Sequence, residues 1–195
     1  ADYRERLSRS QFPVQSQAHP GELIARLPSQ APEQPEPFEA ILADLDRLIL
    51  PGVTHWQHPQ FYGYFPSGGS LAGVLGDMVS TGLGVIGLNW QASPALTELE
   101  QVTTDWLRDL LGVPSTFAGV IQDTASTASF LALVSARERA TGHGQTRGGL
   151  QDGSAPLVVY TSAHAHSSIE KAALLAGFGR EHVRSIALDA EYRLD

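Results

Sequence analysis

At 195 residues, 42% hydrophobic and 17% charged, the chain is too apolar to remain disordered and long enough to bury a core. Its formal charge of −8, with 13 scattered basic residues, excludes a nucleic-acid backbone as partner and favours small-molecule chemistry. No apolar run suits a membrane span, no signal or transit pattern is evident, and the lack of cysteine excludes disulfides and thiolate metal sites, which leaves the cytoplasm as the default expectation.

In chain order, Ala1 to Gln11 is polar and arginine-rich around Tyr3 and Leu7 and reads as the tail of a helix. From Pro13 to Pro37 proline recurs too often for long regular structure, so an extended arm lying on another surface, such as a partner chain, is expected. Phe38, Ile41, Leu42, Leu45, Leu48 and Ile49 fall at spacings of three and four and predict an amphipathic helix ended by Pro51-Gly52. Between proline breaks, Trp56, His58, Phe61, Tyr62, Tyr64 and Phe65 form a ring-rich loop. Loops of this kind line pockets, cores or interfaces. A glycine-interrupted helix is expected over Leu71 to Leu83, and another from Ser93-Pro94 to a stop at Gly112, burying Leu96, Leu99, Val102, Trp106, Leu107 and Leu110.

The pattern then alternates. Strands are expected at Ala118 to Ile121, Leu157 to Tyr160 and Val183 to Leu188, and helices at Thr124 to Ala140 and Ser167 to Ala176, with a glycine-rich, mobile loop over Thr141 to Pro156. Such alternation implies an α/β fold with a mostly parallel sheet. Two segments carry the chemistry. Thr124-Ala125-Ser126 places small hydroxyl residues where a helix exposes free N–H groups, which suits a phosphate or simply an N-terminal cap. His164-Ala165-His166 brings imidazoles to the carboxyl end of a strand, where open α/β sheets bind ligands. His164 with His166, and His55 with His58, lack an accompanying carboxylate set, so no metal site is expected. Glu98 and Glu100, two apart on one helix, face different sides, with Glu98 read as buried and paired and Glu100 as solvated.

Together, His55-Trp56-x-x-Pro59, Tyr64-Phe65-Pro66, Ser93-Pro94-Ala95 with Thr97-Glu98-Leu99-Glu100, Gln122-Asp123-Thr124-Ala125-Ser126 and Ala165-His166-Ser167-Ser168 resemble the group II pyridoxal-phosphate-dependent amino-acid decarboxylases. The resemblance covers almost the whole chain and is closest to bacterial aromatic-L-amino-acid (DOPA-type) decarboxylases. It implies a fold-type I, aminotransferase-like homodimer using pyridoxal 5'-phosphate, with residues 1–70 as amino-terminal arm and aromatic loop and 71–195 as the first part of the cofactor-binding domain. Thr124, Ala125 and Ser126 match the phosphate-binding turn, and His166 matches the catalytic histidine that stacks on the cofactor ring near the substrate carboxylate. Trp56, Tyr64, Phe65, Pro66 and Ser67 match the substrate-side wall, and Ile86 and Leu88 match residues reaching the neighbouring subunit's pocket.

The family's Schiff-base lysine and its aspartate partner for the pyridinium nitrogen belong to motifs downstream of these. Lys171, the chain's one lysine, would sit about 140° around a helix from His166 and point away. The chain is therefore expected to be the amino-terminal part of a longer decarboxylase, its remainder covalently attached or a separate chain, and inactive alone. The expected reaction is decarboxylation of an aromatic L-amino acid. The alternatives are a relative that releases an aldehyde or takes a non-aromatic amino acid, and a non-catalytic fragment that binds a sister chain.

Overall fold

The computed structural model describes residues 2–65, 68–151, 153 and 155–194. They form two compact units, Ala1–Gly84 and Val85–Asp195.

In the first unit α1 (Asp2–Ser8) is anchored by its own side chains. Leu7 is buried, as is Leu48. Arg6 pairs with Asp46 at 2.7 Å and covers the Phe12 ring, while the Tyr3 hydroxyl lies 2.8 Å from His55 Nδ1. Phe12 packs against both rings, its centre 4.8 Å from that of His55 and 5.7 Å from that of Tyr3. The stretch from Phe38 to Gly52 is helical as the spacing predicts, but it changes register: α2 (Phe38–Asp44) passes into a π turn at Leu45–Ile49 and a 3-10 turn at Leu50–Gly52. Pro51 has no N–H for the Arg47 carbonyl four residues back, and that carbonyl instead accepts from Arg26 Nη2 at 3.1 Å. Most of the apolar face of this stretch is exposed among the described residues. Leu48 is buried, but Phe38 remains 66% exposed. Residues 13–37 carry a single 3-10 turn at Ile24–Arg26 among the described residues, consistent with their prolines. Next, α3 (Leu71–Leu83) begins where the Ser70 hydroxyl accepts from the Gly73 N–H at 2.9 Å. It ends where Gly84 takes φ +59°, a left-handed stop that glycine adopts without strain.

The second unit opens with α4 (Pro94–Leu110), stopped at Gly112 with φ +67°. Its predicted buried face is another correction: Leu99, Val102, Trp106, Leu107 and Leu110 are exposed, and Thr104 is the helix's buried residue. The expected strand at 118–121 does not form either. This segment runs beside α4, where the Ile121 N–H donates to Glu100 Oε1 at 2.8 Å, so a side chain takes a group that a sheet ladder would use. A Cβ at Gly119 would lie 2.8 Å from Thr104 Cβ, so glycine permits the approach. The glutamate assignments reverse in part. Glu98 is exposed, although it accepts from the Trp90 indole at 2.9 Å, and Glu100 is half-buried and paired.

The α/β core follows. β1 (Val159–Ser162) and β2 (Val183–Ile186) pair in parallel, Val159 opposite Val183, joined through α6 (Ser168–Leu175). α5 (Ala125–Ala140) lies on α6. Val159, Ala173, Ala176 and Phe178 are buried, with Phe130, Leu133 and Val134 of α5 against them. Arg137 of α5 donates through Nη1 to the Ala176 carbonyl at 2.7 Å, satisfying a group that the end of α6 leaves free. The loop at 141–156 contains two 3-10 turns, Gly144–Thr146 and Gly149–Gln151, and Arg147 holds the Thr141 and Gly142 carbonyls at 3.1 and 3.0 Å.

His55 makes the first unit sensitive to acid. Burial holds its pKa below the ordinary value of 6.5, nearby His58 lowers it further, and a hydrogen bond to the Leu50 backbone pulls the other way. The unfolded chain therefore takes up the proton first as pH falls, so the stability contributed by neutral His55 is complete above about pH 6.5 and declines below it. In the full protein, hydrogen-exchange protection of α1 and residues 53–58, corrected for intrinsic rates, is expected to fall between about pH 7.5 and about pH 5.5. Protection that stays constant across this interval would contradict the assignment.

Candidate active site

Thr124 precedes α5 in an extended conformation, and its hydroxyl accepts from the Thr127 N–H at 3.2 Å. Of the three residues expected at the phosphate turn, Thr124 is thus engaged in capping the helix. The backbone N–H groups of Ala125 and Ser126 and the Ser126 hydroxyl have no partner among the described residues, and both residues are exposed. Two free N–H groups, a hydroxyl and the positive end of a 16-residue helix form a cradle for a dianion. The residues fit a phosphate-bearing cofactor.

His166 lies beyond the carboxyl end of β1 and two residues ahead of α6. It is not on the helix with Lys171, as the sequence suggests. Its Nδ1 accepts from the Ser168 N–H at 3.2 Å, which supplies the side-chain cap that Ser167 does not make. The ring is exposed and borders a cleft of about 340 Å³ that includes Thr161, Ser162, Arg180 and Ser185. His164 instead meets the edge of Tyr192, ring centres 5.8 Å apart. Among the described residues no three His, Asp or Glu side chains converge on a metal site.

In the first unit Trp56 lies between two rings. Phe61 stacks at 5.3 Å and Tyr64 at 5.2 Å, the latter within 7° of parallel. Both rings pack against the indole, so Trp56 serves as a backing for Tyr64 more than as an open wall. Tyr64 takes φ +54°, a left-handed conformation costing a side-chain-bearing residue about 1–2 kcal/mol. A stacked pair returns about 0.5–1.5 kcal/mol, which offsets much of that strain. The Tyr64 and Phe65 rings are left exposed, as are Ile86 and Leu88 in the second unit. Pro66 and Ser67 lie outside the described residues. Phe61 and Ser168 have supporting roles that motif matching missed. The ring-rich loop pointed to the first, and only the hydrogen bonds identify the second.

Residues 20–195 match the family model described as the pyridoxal-dependent decarboxylase conserved domain. This chain belongs to the pyridoxal-dependent decarboxylase family. Tyrosine decarboxylase 4 of Petroselinum crispum is 45% identical over 193 residues, covering 95% of this chain and 36% of the relative. Phenylacetaldehyde synthase of Arabidopsis thaliana is 42% identical over 196 residues, covering 97% and 39%. The crystal structure of Oryza sativa TDC with PLP and tryptamine superposes with a TM-score of 0.89 at 36% identity, covering 100% of this chain and 41% of that one. The decarboxylase-family chain therefore has a fold-type I architecture and a pyridoxal 5'-phosphate cofactor, and spans less than half the length of these relatives. Both curated relatives named here are plant proteins.

Two measurements on the full-length protein test the cradle. Ser126→Ala is expected to weaken cofactor affinity by about 1–3 kcal/mol through loss of a hydrogen bond to a charged phosphate, and unchanged affinity would leave the segment as a helix cap only. Lys171 is exposed on α6. Lys171→Met should retain bound cofactor and its visible absorption, whereas a colourless variant would make Lys171 the attachment point.

Proposed function

We propose that the enzyme to which this chain contributes decarboxylates an aromatic L-amino acid to its amine and carbon dioxide. The observation that carries this reading is the exposed His166 imidazole, pinned to the first turn of α6 in the same compact unit as the α5 cradle. When bound, the cofactor supplies an electron sink for the pair released as the carboxylate departs. The chain's own residues bind and orient. Ala125 and Ser126 would hold the phosphate, while His166 would pack against the cofactor and offer a hydrogen bond to the substrate carboxylate. A carboxylate held in this way would fix the orientation of the breaking bond.

The aromatic preference is supported by the exposed rings of Tyr64 and Phe65, backed by Trp56, and by relatives named for tyrosine. With Pro66 and Ser67 they make the substrate-side wall in this reading. The uncovered apolar side chains of α3, and Ile86 with Leu88, suit a second copy of the enzyme, the latter pair reaching its pocket. Lys171 lies on an exposed helix surface and is not the Schiff-base lysine in this reading, so the isolated chain lacks activity. The cytoplasm is the proposed compartment. Aldehyde release is the second reading, supported by the phenylacetaldehyde synthase, whose identity of 42% is close to the decarboxylase's 45%.

His166→Ala in the full enzyme, supplied with tyrosine, tryptophan or DOPA, is expected to lose about 100-fold or more in kcat while retaining cofactor. Amine with one equivalent of carbon dioxide and no uptake of dioxygen supports the first reading, and aldehyde, ammonia and carbon dioxide with dioxygen consumed as the oxidant support the second. Equal loss of cofactor and turnover would make His166 the main anchor instead of an orienting group.

A further inference from the structure

Both polar contacts of the His166 ring converge on one nitrogen. The Ser168 N–H donates to Nδ1 at 3.2 Å, and Ser168 Oγ lies 3.0 Å from the same atom. An amide N–H can only donate, so Nδ1 must accept, and the proton of the neutral ring then resides on Nε2. Facing a nitrogen without hydrogen, the Ser168 hydroxyl can meet it only as a donor. Ser168 is 7% exposed, and its hydroxyl has no other partner among the described residues. A buried hydroxyl is thus committed to an exposed ring.

The anchor beneath this contact is rigid. Ser168 opens α6, whose Ala172 and Ala173 are buried, and Ala173 belongs to the core cluster against which α5 packs. The imidazole is therefore referenced through Ser168 to the core.

We propose that Ser168 is a positioning residue: with the first amide of α6 it fixes His166 as the Nε2–H tautomer, so that the histidine meets the substrate carboxylate as a hydrogen-bond donor. The opposite tautomer would present a lone pair to a carboxylate oxygen, which repels it. The assignment rests on the reading of His166 as the group facing that carboxylate, but the tautomer itself can be measured separately.

The test uses the full-length holoenzyme labelled with 15N-histidine, the His166 signal being identified by its loss in His166→Ala. Wild type should show the proton on Nε2. Ser168→Ala, which leaves the ring held by the 3.2 Å amide contact alone and free to turn away from it, should show a mixture of tautomers and a kcat lower by about fivefold, the worth of one ordinary hydrogen bond. KM and cofactor affinity should stay within about twofold, because phosphate and ring contacts survive. Ser168→Thr, which keeps the hydroxyl, should restore the wild-type tautomer. A wild-type proton on Nδ1, an unchanged tautomer in Ser168→Ala, or a parallel loss of cofactor and kcat would overturn the proposal. A tautomer that shifts as expected in an enzyme that turns over no aromatic amino acid would uphold the Ser168 assignment and reject the proposed substrate class.

Discussion

The close packing of α5 on α6 is the constraint on which the chemistry of this chain depends. Ala173 is fully buried, and a small side chain there lets the two helices approach while Phe130, Leu133 and Val134 fill the space around it. Arg137 then ties the end of α6 back to α5 through the Ala176 carbonyl. The first turn of each helix carries residues of the proposed site. One leaves N–H groups unpaired among the described residues, and the other holds an imidazole by its own first amide. Neither arrangement would have a fixed geometry if the helices could slide.

Helix starts are used here in two different ways. At α5 the cap is conventional: Thr124 accepts from Thr127, leaving the preceding donors open for phosphate. At α6 the side chain proposed to meet the substrate is itself the cap, so orienting His166 and satisfying an orphan amide are the same interaction. The aromatic loop follows a related logic. Trp56 gives its faces to Phe61 and Tyr64, and the resulting stack supports a strained backbone that leaves Tyr64 and Phe65 open.

Large apolar side chains on α2, α3 and α4 are exposed among the described residues. Burying such side chains is worth about 1.5–3 kcal/mol each, so covering surfaces of this extent would stabilise the chain strongly. The relatives named here are more than twice as long as this chain.

Element type was written in local sequence. Apolar spacing gave the helices from Phe38 and Pro94, a hydroxyl cap marked the start of α5, and Gly112 marked the stop of α4. The motifs around Thr124 and His166 were legible as well, because caps and strand ends follow from short-range chemistry. What covers each face was not, since amphipathicity records that a face needs burial without naming its partner. The strand expected at 118–121 failed for the same reason: an extended segment becomes a strand only beside a ladder, and here Glu100 takes the Ile121 amide. The Pro51 register shift, the backing of Tyr64 by Trp56 and the committed hydroxyl of Ser168 were likewise decided by tertiary structure. Each depends on where a second group stands in space, which spacing along one chain does not encode.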